Sequence, residues 1–158
     1  MKANIRTISS LVCIIILLSL PGSLKGQTTG AIFKVVPNAK SALSVSEFNR
    51  YTDINKDPIK EKALIDITGL EQDLQKSMVS VSLKGLEYAL RNVRFSNTGE
   101  ESFNFKGSFT DTMGELYLYQ TNGYLYGNIH IDSLAYQIEP INKKYAVLLR
   151  RDYSQYEA

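Results

Sequence analysis

Few residues in this chain could do chemistry, and their spacing narrows what that chemistry could be. Histidine occurs once, at His130, within "GNIHID". A zinc hydrolase of the H-E-x-x-H kind needs two histidines one helical turn apart. A serine or cysteine nucleophile would have to share this one imidazole as its base. Cysteine also occurs once, at Cys13, inside an apolar N-terminal run. The segment "DINKDPIKEKAL" places Asp53, Asn55 and Asp57 like the opening of a calcium-binding EF-hand loop. That loop needs glycine at its sixth position and a bidentate glutamate at its twelfth. Here those positions hold Pro58 and Leu64, so an Asx-rich turn is the better account. The paired carboxylates Glu100-Glu101 and the nearby Asp111 fall in turn-like segments, where solvated charge is routine. There is no glycine-rich phosphate loop. The chain does not read as an enzyme, and it implies no cofactor and no metal.

The elements that position these residues are mostly strands. His130 shares strand parity with Tyr124, Tyr126 and Asn128, opposite Leu125, Ile129 and Ile131, so it is expected on an exposed or edge position. From Val79 onward the sequence keeps period two. "VSVSLK" puts Val79, Val81 and Leu83 on one face, and Lys84-Gly85 turns the chain into "LEYALRNVRFS". There Tyr88 and Leu90 differ in parity from Val93 and Phe95, which predicts a β-bulge near Arg91-Asn92. "SFNFKGSF", "GELYLYQ", "GYLYGNIHI", "LAYQIE" and "KYAVLLR" follow as strands, with a tight turn at Thr121-Asn122. Upstream, "IFKVV" reads as a first strand ended by Pro37-Asn38. "SALSVSEFNRY" suits a helix through its Ser44/Glu47 capping-box spacing and a strand through Val45 and Phe48. Thr68 and Glu71 predict a short helix, about residues 69–77, with Leu70 and Leu74 on one face. The expected fold is mainly β (a β-rich α+β domain). It is an antiparallel sandwich or rolled sheet of six to eight strands with one short helix.

Export is expected as well. Lys2 and Arg6 precede "LVCIIILLSL", a ten-residue apolar run ended by Pro21-Gly22. That pattern describes a signal peptide, residues 1–26, and the run is too short to span a bilayer. The remaining domain, 27–158, is expected to be secreted or to lie in the periplasm or cell envelope, and not to be membrane-inserted. The whole chain carries 18 basic and 16 acidic residues. Cleavage removes Lys2, Arg6 and Lys25 and no acid, leaving 15 against 16. No basic surplus remains to argue for nucleic acid. Cleavage also removes Cys13, so core burial must supply the stability.

Tyrosine is abundant, ten copies with no tryptophan. Tyr117, Tyr119, Tyr124 and Tyr126 crowd one hairpin. They form either a contact face for a partner or the half-buried residues that strands favour.

Residues 115–151, "ELYLYQTNGYLYGNIHIDSLAYQIEPINKKYAVLLRR", resemble the propeptide domain of reprolysin-type (adamalysin-like) zinc metalloproteases and their bacterial secreted relatives. The resemblance is carried by Gly123, Leu125, Gly127, Ile129, Tyr136, Ile138, Glu139 and Pro140. It extends diffusely over residues 79–158, and "RRDYSQYE" is similar to the segment where such propeptides leave the sheet. It implies a non-catalytic domain that assists folding, or maintains latency, of a zinc metalloprotease domain in cis or in trans. Its signature residues then shape the backbone: Gly123 through a positive φ, Gly127 through close approach, Tyr136 and Ile138 by pointing inward, and Pro140 by ending a strand. Family members often hold latency with a zinc-ligating cysteine, which residues 27–158 lack. Either the chain is the front end of a longer precursor, or the domain stands alone. The rival reading is a standalone extracellular or envelope binding module using its tyrosine faces.

Overall fold

The computed structural model describes residues 31–54 and 59–151. The expected signal peptide, Cys13, the lead-in 27–30, the turn holding Asn55, Asp57 and Pro58, and residues 152–158 lie outside the described residues. The chain enters through β1 (Lys34–Val35) and leaves the sheet at Pro37 for α1 (Ala39–Ala42) and α2 (Val45–Asp53). It returns as β2 (Ile59–Asp66), passes through α3 (Leu70–Leu74), and then runs as an antiparallel meander. The meander comprises β3 (Ser80–Leu83), β4 (Leu86–Gly99), β5 (Ser102–Phe109), β6 (Gly114–Thr121), β7 (Tyr124–Ile131), β8 (Leu134–Pro140) and β9 (Tyr145–Arg151).

The spatial order is β1-β2-β9-β8-β7-β6-β5-β4-β3. The last strand therefore comes back to β2, and β1 and β3 are the two edges. Those edges meet. Ile32 N donates to the Ser80 carbonyl at 3.0 Å, beside a parallel bridge between Ala31 and Ser80. The sheet is thus rolled and pinned at one point. Its inside holds apolar residues from β2 to β9, among them Phe103, Phe105, Phe109, Leu116, Leu118, Leu125 and Ile129. Leu70 and Leu74 of α3 join this core. A second, smaller cluster lies outside the roll, where Leu64, Val147 and Leu149 pack against Leu43, Phe48, Tyr51 and Ile54 of the α1–α2 segment.

The mainly β antiparallel rolled fold is as the alternation implied, and details differ. Nine strands and three helices occur among the described residues, against six to eight strands and one helix expected. The added strand β2 was hidden because Leu64 and Ile65 are both buried, one facing α2 and one facing the core, so "ALID" shows no alternation. "SALSVSEFNRY" resolves as helix α2, because Ser44 and Glu47 do form a reciprocal capping box. The α3 helix is shorter than 69–77 and starts after Gly69, which has φ +77° and makes no side-chain cap. Gly69, not Thr68, holds the N-cap position, and the Thr68 N–H that Glu71 would accept from in a capping box is taken instead by Asp66 Oδ1 at 2.8 Å, in an Asx turn. The bulge falls where parity required: the β4–β5 register slips between Arg91 and Arg94, with Asn92 at φ +52°. After it, Phe95 joins Tyr88 and Leu90 against the core. The β6–β7 turn is Asn122-Gly123, one residue later than expected. Both residues have positive φ, as a type I′ hairpin requires.

Candidate functional site

The residues carrying the family resemblance occupy β7, β8 and the turn before them. Leu125, Ile129, Tyr136 and Ile138 all point into the roll and are buried. Gly123 sits in the hairpin turn at φ +83°. Gly127 pairs with Leu118, and an added Cβ there would lie 2.6 Å from both Leu118 Cδ2 and the Tyr117 carbonyl oxygen. Only a hydrogen fits between β6 and β7 at this rung. Pro140 is the last residue of β8, paired with Ala146. Glu139 faces outward, 3.4 Å from the Arg151 guanidinium. These are backbone-shaping and packing positions.

The opposite, outer face of β6 and β7 carries the four tyrosines together. Tyr119 and Tyr126 are cross-strand partners with parallel rings, centroids 5.0 Å apart at an interplanar angle of 7°. Tyr117 lies 6.0 Å from Tyr119 on the same face. Tyr117, Tyr119 and Tyr124 are 36–39% exposed, and Tyr126, the second ring of the stack, is half-buried. Asn104 and Asn128 flank the tyrosines on the same cross-strand rungs. His130 shares this outer face, opposite Glu115, and is exposed. Among the described residues, no group of three or more histidine, cysteine or acidic side chains could hold a metal ion. No helix among them is long and apolar enough to cross a membrane.

A further constellation was not singled out from the sequence. Glu61, Arg150 and Tyr136 lie on one cross-strand rung of β2, β9 and β8. They face inward at the place where β1 has already left the sheet and the seam between β2 and β3 opens. A cavity of about 310 Å³ lies there, walled by Val35, Ala63, Leu83 and Leu148 beside these groups and Lys84. Glu61 meets Lys84 at 2.8 Å and Arg150 at 3.5 Å. The Tyr136 hydroxyl is buried with no hydrogen-bond partner. Burial, then the nearby Glu61 carboxylate, raise its pKa above the ordinary phenol value, so it stays a proton donor. The signal was present in "KYAVLLR": Arg150 has the same parity as the buried Ala146 and Leu148. An arginine continuing an inward-facing apolar stripe marks either a strand end or a site.

Compared with family models, with curated proteins and with solved structures, the chain matches none of them.

Proposed function

We propose that this chain is an exported, non-catalytic domain of the metalloprotease-propeptide type, which helps a reprolysin-like zinc protease domain fold or covers its cleft, in cis or in trans. The observation that carries the reading is the division of labour within the resembling segment. Its side chains Leu125, Ile129, Tyr136 and Ile138 enter the core, and Gly123 and Gly127 stand where the backbone requires glycine. A segment kept for its fold rather than for reactive groups suits a domain that acts as a template or a shield. Without a thiol in residues 27–158, masking would be steric, through an extended segment or strand edge laid along the substrate groove. The test adds the purified chain to a denatured reprolysin-type catalytic domain during refolding, and to the folded enzyme during turnover. A higher yield of active enzyme, or reduced turnover, supports the proposal. No change in either assay rejects it.

The outward tyrosines favour a second reading, a freestanding binding module. Stacked, partly exposed aromatic rings with flanking amides offer contact area at small entropic cost. The double substitution Tyr119→Ala and Tyr126→Ala separates the two readings. It abolishes partner binding if this face is the contact surface, and it leaves protease refolding intact if a strand edge is used.

A further inference from the structure

The seam between β2 and β3 exists because β1 is only two residues long. Beyond Val35 the chain turns outward to α1, and among the described residues the edge of β2 from Ile59 to Ala63 has no strand beside it on that side. Among the described residues, side chains bridge the gap through the Glu61–Lys84 ion pair, and both partners are more than two-fifths exposed. Such a pair is weak and easily opened. Behind it two donors lack adequate acceptors. Arg150 is only 17% exposed, yet its guanidinium meets Glu61 at 3.5 Å and makes no hydrogen bond to another described side chain. Tyr136 is 5% exposed and its hydroxyl has no partner. Buried donors in folded proteins are paired almost without exception, so the orphaned Tyr136 hydroxyl, on one rung with an Arg150 held only by a long ion pair, calls for an acceptor.

We propose that this cavity binds a small amphiphilic carboxylate: a single carboxylate received by Arg150 and Tyr136, with an apolar body laid between Leu83 and Leu148. A carboxylate is acceptor-only and matches the planar fork of arginine. The local charge favours it, with Lys84 and Arg150 against the single carboxylate of Glu61. A cationic ligand would meet two like charges. On entry Glu61 swings toward solvent with Lys84, and this removes the carboxylate–carboxylate repulsion and uncovers the buried hydroxyl. The volume of about 310 Å³ lies at the lower end for ligand pockets, which limits the apolar body to a short chain or one side chain. Two sources share this chemistry, a medium-chain fatty acid and the free C-terminus of an apolar peptide. The inference does not depend on the protease reading.

The purified chain is titrated with octanoate, with octanol, and with a short leucine-terminated peptide bearing a free or an amidated C-terminus, following backbone amide shifts by NMR. The expected result is saturable shifts at Ala63, Ser82, Leu83 and Leu148, and binding by octanoate or the free-acid peptide about tenfold or more tighter than by octanol or the amide. Whichever free acid binds tighter identifies the source. Arg150→Gln should lose about tenfold or more in affinity, Tyr136→Phe about three- to tenfold, and the outer-face control Lys106→Gln nothing. Should Arg150→Gln fail to fold, Tyr136→Phe and the octanol and amide arms decide. The proposal is overturned by any of three results: no saturable binding, equal binding of the neutral analogues, or shifts confined to the tyrosine face.

Discussion

Replacing Gly127 by alanine tests whether the signature glycine of β7 is needed for space or merely tolerated there. A Cβ at this position would stand 2.6 Å from the Tyr117 carbonyl oxygen and from Leu118 Cδ2, where ordinary contact begins at 3.4 Å. Leucine can rotate a methyl away; the β6 carbonyl cannot move without parting the ladder. Separating the strands by nearly an ångström weakens neighbouring hydrogen bonds worth about 0.5–1.5 kcal/mol each, and overpacking adds about 1–3 kcal/mol. Against this, alanine restricts the unfolded chain and returns about 0.4–1 kcal/mol. The expected net loss is about 2 kcal/mol, or roughly 6–10 °C in Tm for a domain of this size. Gly107→Ala supplies the control. It too is buried in a strand, but its added Cβ would meet only the flexible Leu90 side chain, at 3.4 Å. That variant should stay within about 0.5 kcal/mol of the parent. Urea unfolding followed by circular dichroism measures both. Equal stabilities for the two variants would refute the close-approach argument, and with it the structural role assigned to this part of the motif.

His130→Ala should leave stability within about 0.5 kcal/mol of the parent and change no activity, because the side chain is exposed on the outer face; a large loss in thermal unfolding or in the refolding assay would restore a chemical role for it. Leu74→Ala should cost about 2–5 kcal/mol in urea unfolding, since α3 supplies this fully buried side chain to the core; a cost under 1 kcal/mol would mean α3 is dispensable. Glu47 accepts hydrogen bonds from the Asn142 side chain, then from Ser44, and these lower its pKa below the ordinary glutamate value. A lowered folded-state pKa means a contribution present above the unfolded value and lost as pH falls through the folded one. The tie between α2 and the β8–β9 turn should therefore loosen only below the usual glutamate range. NMR titration of the Asn142 side-chain amide checks this, and a midpoint at or above the ordinary value contradicts it.

What could be read in advance from the sequence divides along one physical line. Where one sheet face meets the core and the other meets water, alternation is forced on the sequence, and β3 to β8 were legible for that reason; β9, with Ala146 and Leu148 in the core and Val147 and Leu149 under the helices, was legible only as an apolar run. The bulge at Arg91-Asn92 was legible for the same reason, since only an extra residue can reconcile Tyr88 and Leu90 with Phe95. Where both faces are covered the signal vanishes, and β2 is the case in point: Leu64 meets the helices and Ile65 meets the core. The α3 start differs because capping spacing recurs by chance, and here Asp66 takes the Thr68 N–H that a capping box would have given to Glu71, while the helix begins one residue later, after Gly69. The four tyrosines were legible as a cluster, but which face they take depends on the register of β6 against β7, which places Tyr119 beside Tyr126 and Leu118 beside Gly127. The seam was beyond reach for a different reason. Glu61 and Arg150 are 89 positions apart, and Tyr136 joins them only because β9 returns to pair with β2. No local pattern encodes that return. What the sequence did carry was the anomaly of Arg150 continuing a buried stripe, and a charge at such a position has physical meaning only when the topology says what lies across from it.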